Sequence, residues 1–355
     1  MVIGLPASRA ADAPSAPILP QLKRVADWQL SHASVQSPAD GWVMGAFYAG
    51  LSALASTPGG EAYQASCAAI GEANQWKLGV RPYHADDMCV GMMYLESYRR
   101  DKNPKALAAM LERCDTLLAH PSTATLDFNV KVNPGRLDRW SWCDALFMAP
   151  PGFARLSAIT GKREYLDAAV KGWWETTDFL YDRTEHLYAR DSSYFTKRES
   201  NGRKIFWGRG NGWVIAGLAR LLQYMPADYP DRARFEALYR EMALRLKDLQ
   251  APDGFWRSSL LDPKAYPAKE SSGTGLICFG LAWGVDHGIL DKKTFQPSID
   301  AAWAALTSCV EPDGRFVHVQ PIGAAPNTFD PESTVPYGVG AFLLAGTELI
   351  ASGRP

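Results

Sequence analysis

Three aspartates stand where a carboxylate could do chemistry: Asp144 in RWSWCDALFMAPP, and Asp86 and Asp87 in RPYHADDMCVG. A carboxyl flanked by the indoles of Trp140 and Trp142 can lose its water, which raises its pKa and suits it to hold a proton near neutrality. The same aspartate at a helix entrance can instead serve the helix, meeting its dipole and free N–H groups. Of the neighbouring pair, one side chain can reach back to the backbone as a cap while the other stays free. Two carboxylates brought together across a cleft are the usual apparatus for breaking or hydrating a sugar bond.

A second set of residues offers binding rather than proton transfer. FWGRGNGWV, residues 206–214, holds Trp207, Arg209, Asn211 and Trp213 among three glycines. Arg209 is a poor cap, because its charge opposes the dipole at a helix N-terminus. Its guanidinium fork could grip a carboxylate while Trp207 and Trp213 offer flat faces for sugar rings. Alternatively the indoles are core and Arg209 pairs with an internal acid. His84 and Trp142, beside the aspartates, extend the candidate set. In HLYARDSSYF, residues 186–195, Arg190 is either another anion ligand or half of a loop clamp with Asp191.

These residues need elements to position them, and the chain repeats one kind of element six times. Entrances rich in glycine or aspartate, followed by small and apolar residues, begin at Asp40, His84, Trp140, Gly208, Ser272 and Tyr337. Being apolar nearly all round, they read as helices packed on every side. Between them lie segments with one polar face; in ARFEALYREMALRLKDLQ, Phe235, Leu238, Met242, Leu246 and Leu249 recur at helical spacing. Six inner and six outer helices in alternation predict an all-α (α/α)6 barrel. An open solenoid is the alternative, but its repeats keep a near-constant length, whereas these entrances lie roughly 45 to 70 residues apart. In a closed ring the entrances converge at one end, so Asp86 or Asp87 comes close to Asp144. Pro-Asp-Gly in APDGFWRSS and EPDGRFVHV marks turns where helices end.

Composition narrows the class. The 355 residues carry a net charge of -1 and are 47% hydrophobic, enough for one large core. No basic run interleaved with aromatics suggests nucleic acid, and no stretch of eighteen apolar residues suggests a membrane span. Six scattered cysteines without CxxC spacing read as buried thiols rather than disulfides or zinc ligands. Residues 1–17 read as a leader or the remnant of a signal peptide, which points toward the periplasm or secretion, with the cytoplasm as the alternative. A single catalytic domain is expected over 18–355. No GxSxG, HExxH, P-loop or strand-borne GxGxxG occurs.

WCDALFMAPP, FWGRGNGWV, FWRSSLLDP and YGVGAFLLAGTEL together resemble the unsaturated rhamnogalacturonyl hydrolases, glycoside hydrolase family 105, over residues 20 to 350. The resemblance implies a single (α/α)6 barrel that removes a 4,5-unsaturated uronic acid from the non-reducing end of oligosaccharides left by polysaccharide lyases. It implies Asp144 as general acid/base and Asp86 as second aspartate. Trp207, Arg209 and Trp213 would contact an anionic unsaturated oligosaccharide. It implies no metal, no cofactor, and a monomer or weak homo-oligomer. Where better-known members place a histidine, this chain reads HLYARD, with Arg190 near that position and His186 out of register. Unsaturated glucuronyl hydrolases acting on glycosaminoglycan fragments, and a non-catalytic carbohydrate-binding barrel, are the competing readings.

Overall fold

The computed structural model describes residues 17–32 and 37–354. The leader expected over 1–17 lies outside the described residues but for Pro17. Helices dominate, in the order expected from the alternation of patterns. The inner ones are α2 (Trp42–Ala55), α4 (Gly91–Asp101), the broken pair α6 (Ala145–Met148) and α7 (Pro150–Thr160), α9 (Gly208–Leu222), α11 (Ser271–Asp286) and α13 (Pro336–Ala351). The outer ones are α1 (Ile18–Ser31), α3 (Tyr63–Ala73), α5 (Pro104–Ala119), α8 (Arg163–Leu180), α10 (Arg232–Asp248) and α12 (Lys292–Thr307). Packing runs α2 to α4, α4 to α7, α7 to α9, α9 to α11, α11 to α13, and α13 back to α2, so the ring closes.

Residue size explains the closure. Every residue of α9 is buried, whereas α10 buries only the stripe Phe235, Leu238, Tyr239, Met242, Ala243 and Leu246. Inner helices must therefore touch backbone to backbone. A Cβ built on Gly50 of α2 would lie 2.4 Å from the Gly340 carbonyl oxygen of α13, and one on Gly217 of α9 would lie 2.5 Å from the Leu146 carbonyl oxygen. No larger residue fits these contacts. The six cysteines are buried free thiols within this interior, as their apolar settings predict.

The two ends of the ring differ. Inner-to-outer connections are short, such as residues 102–103 and 161–162, while outer-to-inner connections at the other end run over 74–90, 120–144, 181–207, 249–270 and 308–335. The long end holds the inner-helix entrances. Both Pro-Asp-Gly turns close as predicted: Gly254 and Gly314 adopt φ of +87° and +97°, and their N–H groups donate to the carbonyls of Ala251 and Glu311. The only strands among the described residues are β1 (Tyr181–Asp182) and β2 (Leu187–Tyr188), a short antiparallel hairpin in the third long connection.

Candidate active site

Asp144 immediately precedes α6 and makes no capping hydrogen bond, so the helix role open to it is not taken up. Its one side-chain hydrogen bond comes from the Cys143 thiol, 3.2 Å from Oδ1. The carboxylate is half-buried. Burial pushes its pKa up, while the Arg190 guanidinium, the Cys143 thiol and Arg209 pull it back down. The uncapped first turn of α9 also lies against it: a Cβ on Gly210 would sit 3.6 Å from Asp144 Oδ1. The positive end of that helix favours the anion.

Asp86 and Asp87 divide their duties as the doublet allows, and the geometry says which does what. Asp87 accepts from the Arg81 backbone N–H at 2.7 Å and from the Arg81 guanidinium at 2.5 Å, which holds its carboxyl below the usual range. It is a loop clamp. Asp86 accepts no side-chain hydrogen bond; the nearest basic atom is His84 Nδ1, 3.8 Å away. That nitrogen instead accepts the Asp86 backbone N–H, and burial together with Arg81 pulls the imidazole down to about 4, so His84 is neutral. Burial first, then the charge of Asp144, raises the Asp86 carboxyl to about 7. The two aspartates thus lie in each other's field, which disfavours ionising both at once, and Asp86 is the carboxyl raised to neutrality.

Arg190 is the cation brought to this pair. Its side chain is 17% exposed, donates to Asp191 at 2.6 Å, and stacks over Phe128 with 4.7 Å to the ring centroid. Its carbonyl accepts the Cys143 N–H at 2.8 Å, which ties the loop to the residue before Asp144. Tyr194, half-buried, lies within the electrostatic reach of both Arg190 and Asp144. Trp142 packs its indole against His84, ring centroids 5.0 Å apart.

Four of the expected sugar contacts are interior braces instead. Arg209 is 0% exposed; its guanidinium donates to the carbonyls of Gln320 at 2.6 Å and Pro321 at 3.0 Å and is sandwiched by Trp207 and Tyr337. It reaches Asp144 only through its field. Trp207, 2% exposed, donates from its indole nitrogen to the Gln320 side chain, and Trp213, 1% exposed, is packed against Phe147. Asn211 spends its whole amide on the backbone: Oδ1 accepts the Tyr188 N–H at 2.8 Å, and Nδ2 donates to the carbonyls of Tyr188 and Trp207 at 3.1 Å. That bond holds β2 in place, and Arg190 follows β2 by two residues. His186 faces Tyr181 and Glu241 on the outer surface of the hairpin, away from the pair.

Two residues at the open end went unread in the sequence. Trp42 is half-buried at the start of α2 and stacks on Tyr337 at 5.3 Å with 14° between the planes. Tyr194 was in view within HLYARDSSYF but carried no assignment. The available signal for Trp42 was its place directly after Gly41, at the first position of an inner helix.

Comparison with known proteins gives a consistent result. A family described as Glycosyl Hydrolase Family 88 matches residues 21–352. An unsaturated 3S-rhamnoglycuronyl hydrolase of Formosa agariphila is 39% identical over 339 residues, spanning 91% of this chain and 88% of the relative. A solved glycosyl hydrolase family 88 structure from Bacteroides vulgatus superposes with a TM-score of 0.85 at 28% identity, covering 94% of this chain and 98% of that one. A Salmonella enterica structure described as a possible member of family 105 shares the fold, with a TM-score of 0.79 at 16% identity over the whole of both chains.

Proposed function

The chain belongs to glycosyl hydrolase family 88 and is a glycoside hydrolase of oligosaccharides ending in an unsaturated uronic acid; from that premise we propose that Asp86 and Asp144 act as one acid–base unit in hydrating the vinyl ether of that sugar. The unit delivers a proton to C4, and as C5 gains cationic character the carboxylate left behind directs a water onto it. C5 then carries a hydroxyl and the ring oxygen. Opening of this hemiketal breaks the bond from C5 to the ring oxygen, leaves a ketone at C5, and makes C1 a hemiacetal that expels the aglycone. Water is added and the glycosidic bond is lost without attack at C1, so no glycosyl-enzyme intermediate is required.

The observation that carries this reading is the pair itself: two half-buried carboxyls from adjacent entrances, Asp86 raised to about 7 and Asp144 raised by burial, with Arg190 and the start of α9 acting against that rise. Vinyl-ether protonation needs a carboxylic acid that survives at neutral pH, and a partner anion stabilises the oxocarbenium-like charge. In this proposal Arg190 holds the uronate carboxylate, Trp42 supplies the ring platform, and Tyr194 hydrogen-bonds a sugar hydroxyl. A non-catalytic carbohydrate-binding barrel has no use for two carboxyls raised side by side.

The aglycone we propose to test first is rhamnose, because the similar Formosa protein is named for a rhamnoglycuronyl substrate. The purified chain is incubated with unsaturated uronyl-rhamnose, a pectic unsaturated disaccharide and a glycosaminoglycan-derived one, and the ultraviolet absorbance of the double bond is followed. Absorbance falls, fastest with rhamnose, and in heavy water the product gains one deuterium at C4. Release of the aglycone with the double bond intact would sink the hydration mechanism, and preference for the glycosaminoglycan unit would sink the aglycone assignment.

A further inference from the structure

The end of the barrel opposite the aspartates carries a polar pocket of about 190 Å3, lined by α2, α4, α7, α9, α11 and α13. Three arginines line it, and they are not equivalent. Arg155 is spent on Glu96, its Nε 2.6 Å from Oε1. Arg99 donates to the other Glu96 oxygen at 3.0 Å and to the Tyr224 hydroxyl at 2.9 Å. Arg220, in the last turn of α9 and 5% exposed, has no oxygen acceptor: Nη2 meets Met92 Sδ at 3.6 Å, the guanidinium lies over the Phe147 ring, and Nε is buried without a partner.

An unpaired buried cation is costly, and the fold does not discharge it locally. The carbonyl ends of the inner helices favour positive charge at this end, which accounts for arginines being there. Yet none of those carbonyls accepts from Arg220. The one committed carboxylate nearby, Glu96, already serves two guanidinium groups, and Glu348 on the far wall is raised to about 7 by burial and by Asp286. Among the side chains three cations face one full anion, an excess that the helix carbonyl ends offset only in part because none of them accepts from Arg220. Burial and the neighbouring Arg155 charge pull Arg220 down to about 9, the direction expected of a guanidinium lacking its counterion.

We propose that this pocket binds a small oxyanion, with the Arg220 guanidinium as its recognition group and Arg99 and Gln223 at the rim. The geometry suits a phosphate, sulfate or short carboxylate: a guanidinium without an oxygen acceptor lines a space larger than a single water requires. The site shares no lining residue with the aspartate pair, so its ligand is not the reacting sugar.

Inorganic phosphate titrated into the full chain at constant ionic strength, followed by calorimetry, tests this directly. Saturable single-site binding is expected, weakened tenfold or more in Arg220→Met and retained in Arg190→Ala. Loss of binding in Arg190→Ala with retention in Arg220→Met would mean that phosphate occupies the catalytic end and would overturn the proposal. So would the absence of saturable binding to the unaltered chain. Should Arg220→Met fail to fold by circular dichroism, selenate soaked into crystals of the unaltered protein decides: an anomalous peak against Arg220 supports the site, and an empty pocket refutes it.

Discussion

Replacing Asp86 by asparagine should stabilise the protein while abolishing its chemistry, and the size of the effect follows from the site. The Asp86 carboxyl is raised from its ordinary 3.8 to about 7, mainly by burial and secondly by Asp144. At about 1.36 kcal/mol for each tenfold change in proton affinity, that rise amounts to about 4 kcal/mol of penalty on the ionised form. Because the folded pKa lies above the unfolded one, the folded state binds the proton more tightly, and stability is lost as pH rises. The penalty is absent below about 3.8, grows through the window between the two values, and is complete above about 7. Asparagine carries no such penalty. With an unfolding entropy of about 2.1 cal/mol/K per residue, 4 kcal/mol corresponds to a Tm gain of about 5 °C for this chain. Calorimetric scans of Asp86→Asn and the unaltered protein should coincide near pH 4 and diverge to that gap at pH 8. A gap that stays constant with pH, or an asparagine variant that is less stable at pH 8, would refute the claim that Asp86 is a raised, Asp144-coupled carboxyl.

Activity should follow the same pair. The rate profile against pH should be bell-shaped, falling on the alkaline side near pH 7 as Asp86 ionises and on the acid side as Asp144 takes up a proton. Asp144→Asn and Asp86→Asn should each lose about 100-fold or more in kcat, measured by the absorbance assay, while still binding the oligosaccharide in calorimetry. Arg190→Ala removes the charge that lowers Asp144, so its acid limb should move to higher pH and its KM should rise. Asn211→Ala leaves the buried Tyr188 N–H and carbonyl without their side-chain partner; a loss on the order of 3 kcal/mol, read from chemical denaturation, is expected.

Asn211 also shows how a binding-like motif can be a positioning one. Its amide fixes β2, β2 carries Arg190, and the Arg190 carbonyl grips the backbone next to Asp144. The glycines of FWGRGNGWV act on the same point. Gly210 keeps the start of α9 close to Asp144, and Gly208 fits against the Arg257 carbonyl, where a Cβ would lie 2.4 Å away. The motif therefore tunes and supports the carboxylate, with its aromatic and cationic side chains turned inward.

Much of this protein is written in local pattern. Period and polarity distinguish inner helices from outer ones, since an all-apolar segment such as α9 has nowhere to go but the interior, and the uneven spacing of six alternations points to a closed ring rather than an open solenoid. The entrance aspartates were legible for the same reason: closure brings all the entrances to one end, so Asp144 and one member of the Asp86–Asp87 doublet had to meet. Residue type alone left open which member, and only the resemblance pointed to Asp86; in the fold the Arg81 backbone and guanidinium, six residues upstream, claim Asp87. The roles of Trp207, Arg209, Asn211 and Trp213 were beyond the sequence for a related reason. Residue type tells what a side chain can bind, whereas what it does bind depends on where the helix turns it and on acceptors supplied from far along the chain. Arg209 could have met a sugar carboxylate; folding brings it the carbonyls of Gln320 and Pro321, more than a hundred positions away, and buries it there.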